Sequence, residues 1–280
     1  MKKVLYLLII LLIVIISYLL VDNILIKDTN PSTEGDITTE STETPSTNEK
    51  TQESIIAQEV LTTTTATEIT TEEQKKQEKI DSNDPNFPSC HDLELKLIEQ
   101  YPELPAGCES VSLTMLLNYY GFDLDKQYIV DNHLIYSGNF VLGYCGDPYS
   151  YSVGGGCYAP GMTDTANDFL TKRKSNFQAV NITGTEFDDL FEYIAAGHPV
   201  LVWTTINMAY PNKSYYEYDN DGNVYGWDTN EHCVVLTGYD YKANTVTIYD
   251  PIAGIIYRDM DAFKDTYDSM YQMAIIIKEN

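Results

Sequence analysis

The hydropathy pattern divides the chain into three stretches. From Val4 to Val21 no charged residue interrupts an apolar run. At 1.5 Å per helical residue such a run nearly crosses a hydrocarbon core of about 30 Å. From about Asp28 to Asn86 the pattern turns polar, with Thr, Glu, Ser and Lys dominant and no aromatic residue before Phe87. A segment of that kind buries too little apolar area to offset its ordering entropy. Beyond Phe87 the apolar positions become periodic. The expected organisation is an N-terminal membrane anchor at 1–27, a disordered stalk at 28–86 and a folded domain at 87–280. Lys2 and Lys3 ahead of the apolar run favour an inside N-terminus, with the remainder of the chain outside the cell. A cleaved secretion signal is the alternative, although no A-x-A-like site follows the run.

Within the folded stretch, Val111, Met115, Leu116, Tyr119 and Tyr120 fall at helical spacing, which predicts a helix over 109–120 ended by Gly121. Residues 164–174 and 186–196 are also predicted helices. The period then changes. Pro199 to Ile206 is a short apolar, β-branched run and reads as a strand. Tyr215–Tyr218 and Asn223–Trp227 flank a hairpin-like turn at Asp219–Gly222. His232–Tyr239, Thr245–Tyr249, Ile255–Arg258 and Tyr271–Ile277 complete a strand-rich half. Helices first and strands afterwards predict an α+β fold with an antiparallel sheet.

Charge narrows the partners. The chain carries 42 acidic and 17 basic residues, a net charge of −25. Such a surface repels phosphate backbones, so nucleic acid is not an expected partner, and solubility is the plain reading of the acidity. Asp219, Asp221 and Asn223 hint at a calcium loop. Its twelfth position is Asn230 where a ligating Glu is needed, so a turn is the better reading and no metal is expected. No spacing matches a zinc site, a phosphate loop or a G-x-S-x-G elbow, and no cofactor is expected. The five cysteines are Cys90, Cys108, Cys145, Cys157 and Cys233. Cys145 and Cys157 flank a Tyr/Gly-rich loop and are the favoured disulfide pair outside a cell; reduced, partly buried thiols are the alternative.

One constellation carries chemistry. Leu104-Pro105-Ala106-Gly107-Cys108-Glu109 places a turn before a helix that begins at the cysteine. A helix N-terminus stabilises a thiolate, so the Cys108 pKa is expected to fall, and the Cys108 backbone N–H is placed to meet an oxyanion. Packing of a buried cysteine is the competing reading. Of four histidines, His232 heads an apolar strand and can aim a ring from a rigid start, whereas His91, His133 and His198 sit in stalk-adjacent, loop and turn contexts. Asp250, at the end of the next strand, can orient the imidazole if the two strands pair; an Asp-Pro turn is the alternative. Gln100, eight residues before Cys108, offers a side-chain amide to an oxyanion, and Asn118 is a weaker candidate.

Together these residues resemble a known family. Gln100, Glu103–Glu109, Leu113–Gly121, Gly197–Val200, His232–Asp240 and Tyr249–Pro251 are similar to the family-39-like cysteine peptidases of bacteria. These form a branch of the papain clan related to double-glycine leader peptidases. The resemblance covers about residues 88–280. It implies a papain-like fold with Cys108 as nucleophile, His232 as base, Asp250 as orienter and Gln100 as oxyanion donor. The expected activity is hydrolysis of a peptide or other amide through a thioester, on a peptide or protein substrate at the cell surface. The alternatives are a non-catalytic binding module on the same fold and a cell-wall amidase or transpeptidase. The Tyr/Gly-rich insertion at 136–162 is expected to shape the substrate cleft.

Overall fold

The computed structural model describes residues 81–280. The proposed anchor, and the stalk up to residue 80, lie outside the described residues. Among the described residues no helix is long and apolar enough to cross a membrane.

In chain order the first half holds β1 (Cys90–Asp92), α1 (Cys108–Tyr119), α2 (Tyr128–Asn132), α3 (Ala159–Lys172), β2 (Phe177–Asn181) and α4 (Leu190–Ala195). The second half holds β3 (Val200–Thr205), β4 (Lys213–Tyr218), β5 (Val224–Asp228), β6 (Glu231–Asp240), β7 (Thr245–Asp250), β8 (Gly254–Asp259), α5 (Met260–Ser269) and β9 (Ala274–Glu279). The main sheet runs β2-β9-β3-β6-β7-β8 with β1 paired to β6, and every pairing is antiparallel. The hairpin β4-β5 stands apart from it.

The sheet is covered on both sides, which explains why β3 and β6 read as continuous apolar runs. Leu201, Trp203, Val235, Ile275 and Ile277 pack with the apolar residues of α1 and α3. Their alternates Val200, Val202, Val234, Leu236 and Ile276 pack with α4 and α5. Period-two alternation therefore divides the residues between two cores. Each fully buried Val, Leu or Ile contributes about 1.5–3 kcal/mol relative to exposure.

The predicted elements stand with shifted ends. α3 begins at Ala159, five residues before the predicted start, because Pro160 occupies its first turn, where a missing N–H costs nothing. The final strand starts at Ala274, since Tyr271 and Gln272 turn the chain with positive φ (63° and 52°). Four elements went unread: β1, α2, β2 and α5. α5 has a sequence signal in Asp259, whose carboxylate caps the helix by accepting the Ala262 N–H at 3.0 Å.

Candidate active site

The turn before α1 is shaped by a close approach. A Cβ on Gly107 would sit 2.9 Å from the Leu104 Cβ, so only glycine lets the chain fold back over Leu104 into the helix. Cys108 is therefore the first helical residue. Ser112, one turn along, donates to the Cys233 carbonyl at 2.9 Å and ties the helix to β6 beside His232. The nucleophile helix and the histidine strand are thus joined within a few residues of both side chains.

β6 and β7 pair with Val235 opposite Tyr249. One step further, Asp250 comes against Val234, and His232 is its diagonal neighbour on the same face. Asp250 Oδ1 accepts from His232 Nε2 at 2.8 Å, and also from the Ile252 and Ala253 backbone N–H groups at 2.8 and 3.1 Å. Burial by itself would raise the Asp250 pKa; the His232 bond, its charge and the two backbone donors outweigh this and hold the carboxyl below its ordinary range. With Nε2 engaged, His232 Nδ1 is buried without a partner. In the neutral ring with the proton on Nε2, that nitrogen is a free acceptor.

Gln100, Cys108 and His232 line one cavity of about 560 Å³. Gln100 Nε2 donates to the Pro105 carbonyl at 2.9 Å, which orients the amide and leaves its second N–H available. The Tyr/Gly-rich insertion supplies another wall through Cys145, Gly146, Gly154 and Gly155, and Trp227 and Glu231 close the far side. The four expected site residues therefore converge, while the remaining candidates are occupied elsewhere. His133 bonds Asp168 at 2.9 Å and His198 bonds the Tyr120 hydroxyl at 2.9 Å. His91 lies in β1 opposite Tyr239. Asn118 clamps Leu124 through both its amide groups and takes no part in the cavity. Asp219 accepts the Asp221 and Asn223 N–H groups, forming a turn.

Two expectations are corrected. All five cysteines are free thiols. The backbones of Cys145 and Cys157 lie on neighbouring segments, but Cys145 Sγ bonds the Ser137 carbonyl at 3.0 Å while Cys157 Sγ is buried against the Tyr158 carbonyl at 3.4 Å. The Cys108 thiol, expected to be acidified, is instead pushed well up. Burial is the first cause, followed by the Glu109 and Glu231 carboxylates and the Cys233 thiol; the Cys233 N–H opposes them. Burial, with two acidic groups beside the sulfur, opposes the stabilisation that the helix end offers a thiolate.

These acids are what sequence reasoning missed. Glu109 is fully buried, accepts the Cys157 N–H at 2.6 Å through Oε1 and receives the Cys108 thiol at 3.2 Å through Oε2. Burial pushes its pKa up to about 7 against the pull of these donors. Glu231 is 7% exposed, and burial, Glu109 and Asp228 drive its pKa well up. The signal available was an acid directly beside each of the two candidate catalytic residues, in segments otherwise built for burial.

Comparison with known proteins places the chain in a family. The model of the family described as "Peptidase_C39 like family" matches residues 92–275. The uncharacterised protein YvpB of Bacillus subtilis strain 168 is 29% identical over 182 residues, covering 64% of this chain and 71% of YvpB. A crystal structure from Bacillus anthracis, assigned provisionally as a C39-like peptidase, superposes with a TM-score of 0.60 at 29% identity, over 68% of this chain and 98% of that one. The peptidase domain of Streptococcus ComA, a bifunctional ABC transporter in quorum sensing, superposes with a TM-score of 0.41 at 17% identity, over 67% of this chain and all of that domain.

Proposed function

The chain belongs to the peptidase C39-like family, with the papain-like α+β fold, and on that premise we propose that it is a cysteine hydrolase of peptide or other amide bonds. The reading rests on one observation above the rest. His232 is held to Asp250 by Nε2 and leaves Nδ1 unpartnered, in the cavity that Cys108 lines.

In the substrate-free state Cys108 is a protonated thiol bonded to Glu109. Substrate entry lets the thiol exchange that bond for His232 Nδ1, which takes the proton as sulfur attacks the amide carbonyl. The Gln100 amide and the Cys108 backbone N–H stabilise the oxyanion. The imidazolium returns its proton to the leaving amine, and the acyl group remains as a thioester. Water then attacks, His232 accepts its proton, and the acid departs as the proton passes back to sulfur. Asp250 keeps the ring in the Nε2–H tautomer and stabilises the imidazolium. In this reading residues 1–27 anchor the chain in a membrane, and 28–86 carry the domain outside the cell toward peptide or protein substrates.

The test is turnover of a peptide library by the full-length chain beside Cys108→Ala and His232→Ala. Each variant should lose roughly 10³-fold or more of the activity per folded molecule, with Cys108→Ala keeping the wild-type melting profile. Turnover retained in Cys108→Ala would overturn the mechanism. Wild-type protein as inert as Cys108→Ala would favour a binding module on the same fold.

A further inference from the structure

The buried acids beside the nucleophile have no part in the hydrolase mechanism beyond holding the resting thiol. Glu109, at the second position of α1, and Glu231, at the start of β6, are buried carboxyl groups facing one small volume. One ligand atom from each, together with Cys108 Sγ, lies within 4.8 Å of the other two. No cationic side chain is among the causes that shift either carboxyl. Glu109 is preset: the Cys157 N–H holds Oε1 and turns Oε2 toward sulfur at 3.2 Å. Glu231 Oε1 is buried with no hydrogen-bond partner. Gly156 leaves open the space where the acids converge, because a Cβ there would lie 2.7 Å from Glu109 Oε1 and 3.0 Å from Glu231 Oε2.

We infer that Cys108, Glu109 and Glu231 form a binding site for one divalent cation of borderline softness, of which zinc is the type. Buried carboxylates demand either protons or a cation, and two buried carboxyls grouped with a thiol, one of them keeping an oxygen that no donor reaches, supply inner-sphere ligands. The mixed donor set selects the metal. A thiolate suits zinc or cadmium, whereas calcium and magnesium require six or more oxygens. Around a tetrahedral zinc, with Zn–S of about 2.3 Å and Zn–O of about 2.0 Å, the sulfur and oxygens stand about 3.5 Å apart. Cys108 and Glu109 already approach that spacing at 3.2 Å, and Glu231 offers an oxygen within 4.8 Å of both. Ser112 bonded to the Cys233 carbonyl keeps the two ligand-bearing elements in place. Binding releases the thiol proton and the protons held by the acids to solvent. Cys108 and Glu231 both line the cavity, from which water can supply the fourth ligand. A cation so held occupies the sulfur, so the site would also silence the proposed nucleophile, but its existence does not depend on turnover.

The test is titration of cadmium chloride into the full-length chain in detergent micelles, read by the ultraviolet sulfur-to-cadmium charge-transfer band. One equivalent should saturate the band. Zinc should displace cadmium, and millimolar calcium or magnesium should not. Cys108→Ser should abolish the band, and Glu231→Gln and Glu109→Gln should each weaken binding at least tenfold. A band that survives in Cys108→Ser, or wild-type affinity in both glutamine variants, would overturn the site by placing the metal on other thiols. Wild-type protein serves as an additional test that needs no substitution. Cadmium should protect Cys108 from a small alkylating reagent at alkaline pH, mapped by mass spectrometry, while exposed Cys90 continues to react. Equal labelling of Cys108 with and without cadmium would refute the inference.

Discussion

Replacing Asp250 by Asn isolates the charge of the buried His232–Asp250 pair. Asp250 Oδ1 takes three hydrogen bonds, from His232 Nε2 and the Ile252 and Ala253 N–H groups. An Asn carbonyl can still accept all three, but without charge assistance, which roughly doubles the strength of such bonds. The difference between charged and neutral acceptors corresponds to about 2 kcal/mol, within the 1.5–3 kcal/mol range for hydrogen bonds to charged groups. For a domain of this size that is a fall in Tm of about 4–8 °C. The pH dependence supplies the sharper test. The folded Asp250 pKa is depressed, so its stabilisation is complete above the unfolded carboxyl value and is lost as pH falls through the folded value. Urea unfolding of wild type and variant should therefore show a gap of about 2 kcal/mol at pH 7 that closes in strong acid, once pH has fallen through the depressed folded value of the wild-type carboxyl. A gap of the same size at both pH values would refute the argument, because it would trace the effect to shape instead of charge. In the same variant turnover should fall, since a neutral amide stabilises the imidazolium less than the carboxylate does.

Gly156→Ala should destabilise by about 1–3 kcal/mol in urea melts, since the new methyl overlaps Trp227, Glu109 and Glu231 in a packed site. Alkylation of Cys108 by iodoacetamide at neutral pH should be far slower than that of exposed Cys90, and should accelerate only well into the alkaline range, when labelling is mapped by residue. Rapid labelling of Cys108 below pH 7 would show that burial and the acids do not govern its thiol. Asn118→Ala should cost about 1–2 kcal/mol through its two lost bonds to Leu124 and leave turnover per folded molecule unchanged, as a kcat measurement would show.

Much of the site was legible along the chain because its parts sit at element boundaries, where local chemistry is explicit. Gly107 before a helix and Asp250-Pro251 after a strand are local signals. So is the polar His232 at the head of a β-branched run. The strands themselves followed from continuous apolar segments such as 200–203 and 233–236. Their two-sided burial was not legible, because a run buried on both faces has no polar phase. α2 and β2 escaped because each is five residues long, too short for a period to show against its flanks.

What the sequence by itself determined is the inventory and order: a thiol at a helix start, an imidazole at a strand start, a carboxylate at the end of the next strand, an amide upstream. What only the tertiary structure decided is the electrostatic state of that inventory. Helix position alone argued for an acidified thiol, since a macrodipole can be read from sequence. Glu109 and Glu231, separated by more than a hundred residues, meet beside that thiol only because α1 docks on β6, and there burial together with both carboxyls pushes the thiol up where the helix end argued for down. Coulomb energies depend on distance and on the exclusion of water, and neither is a property of neighbours along a chain.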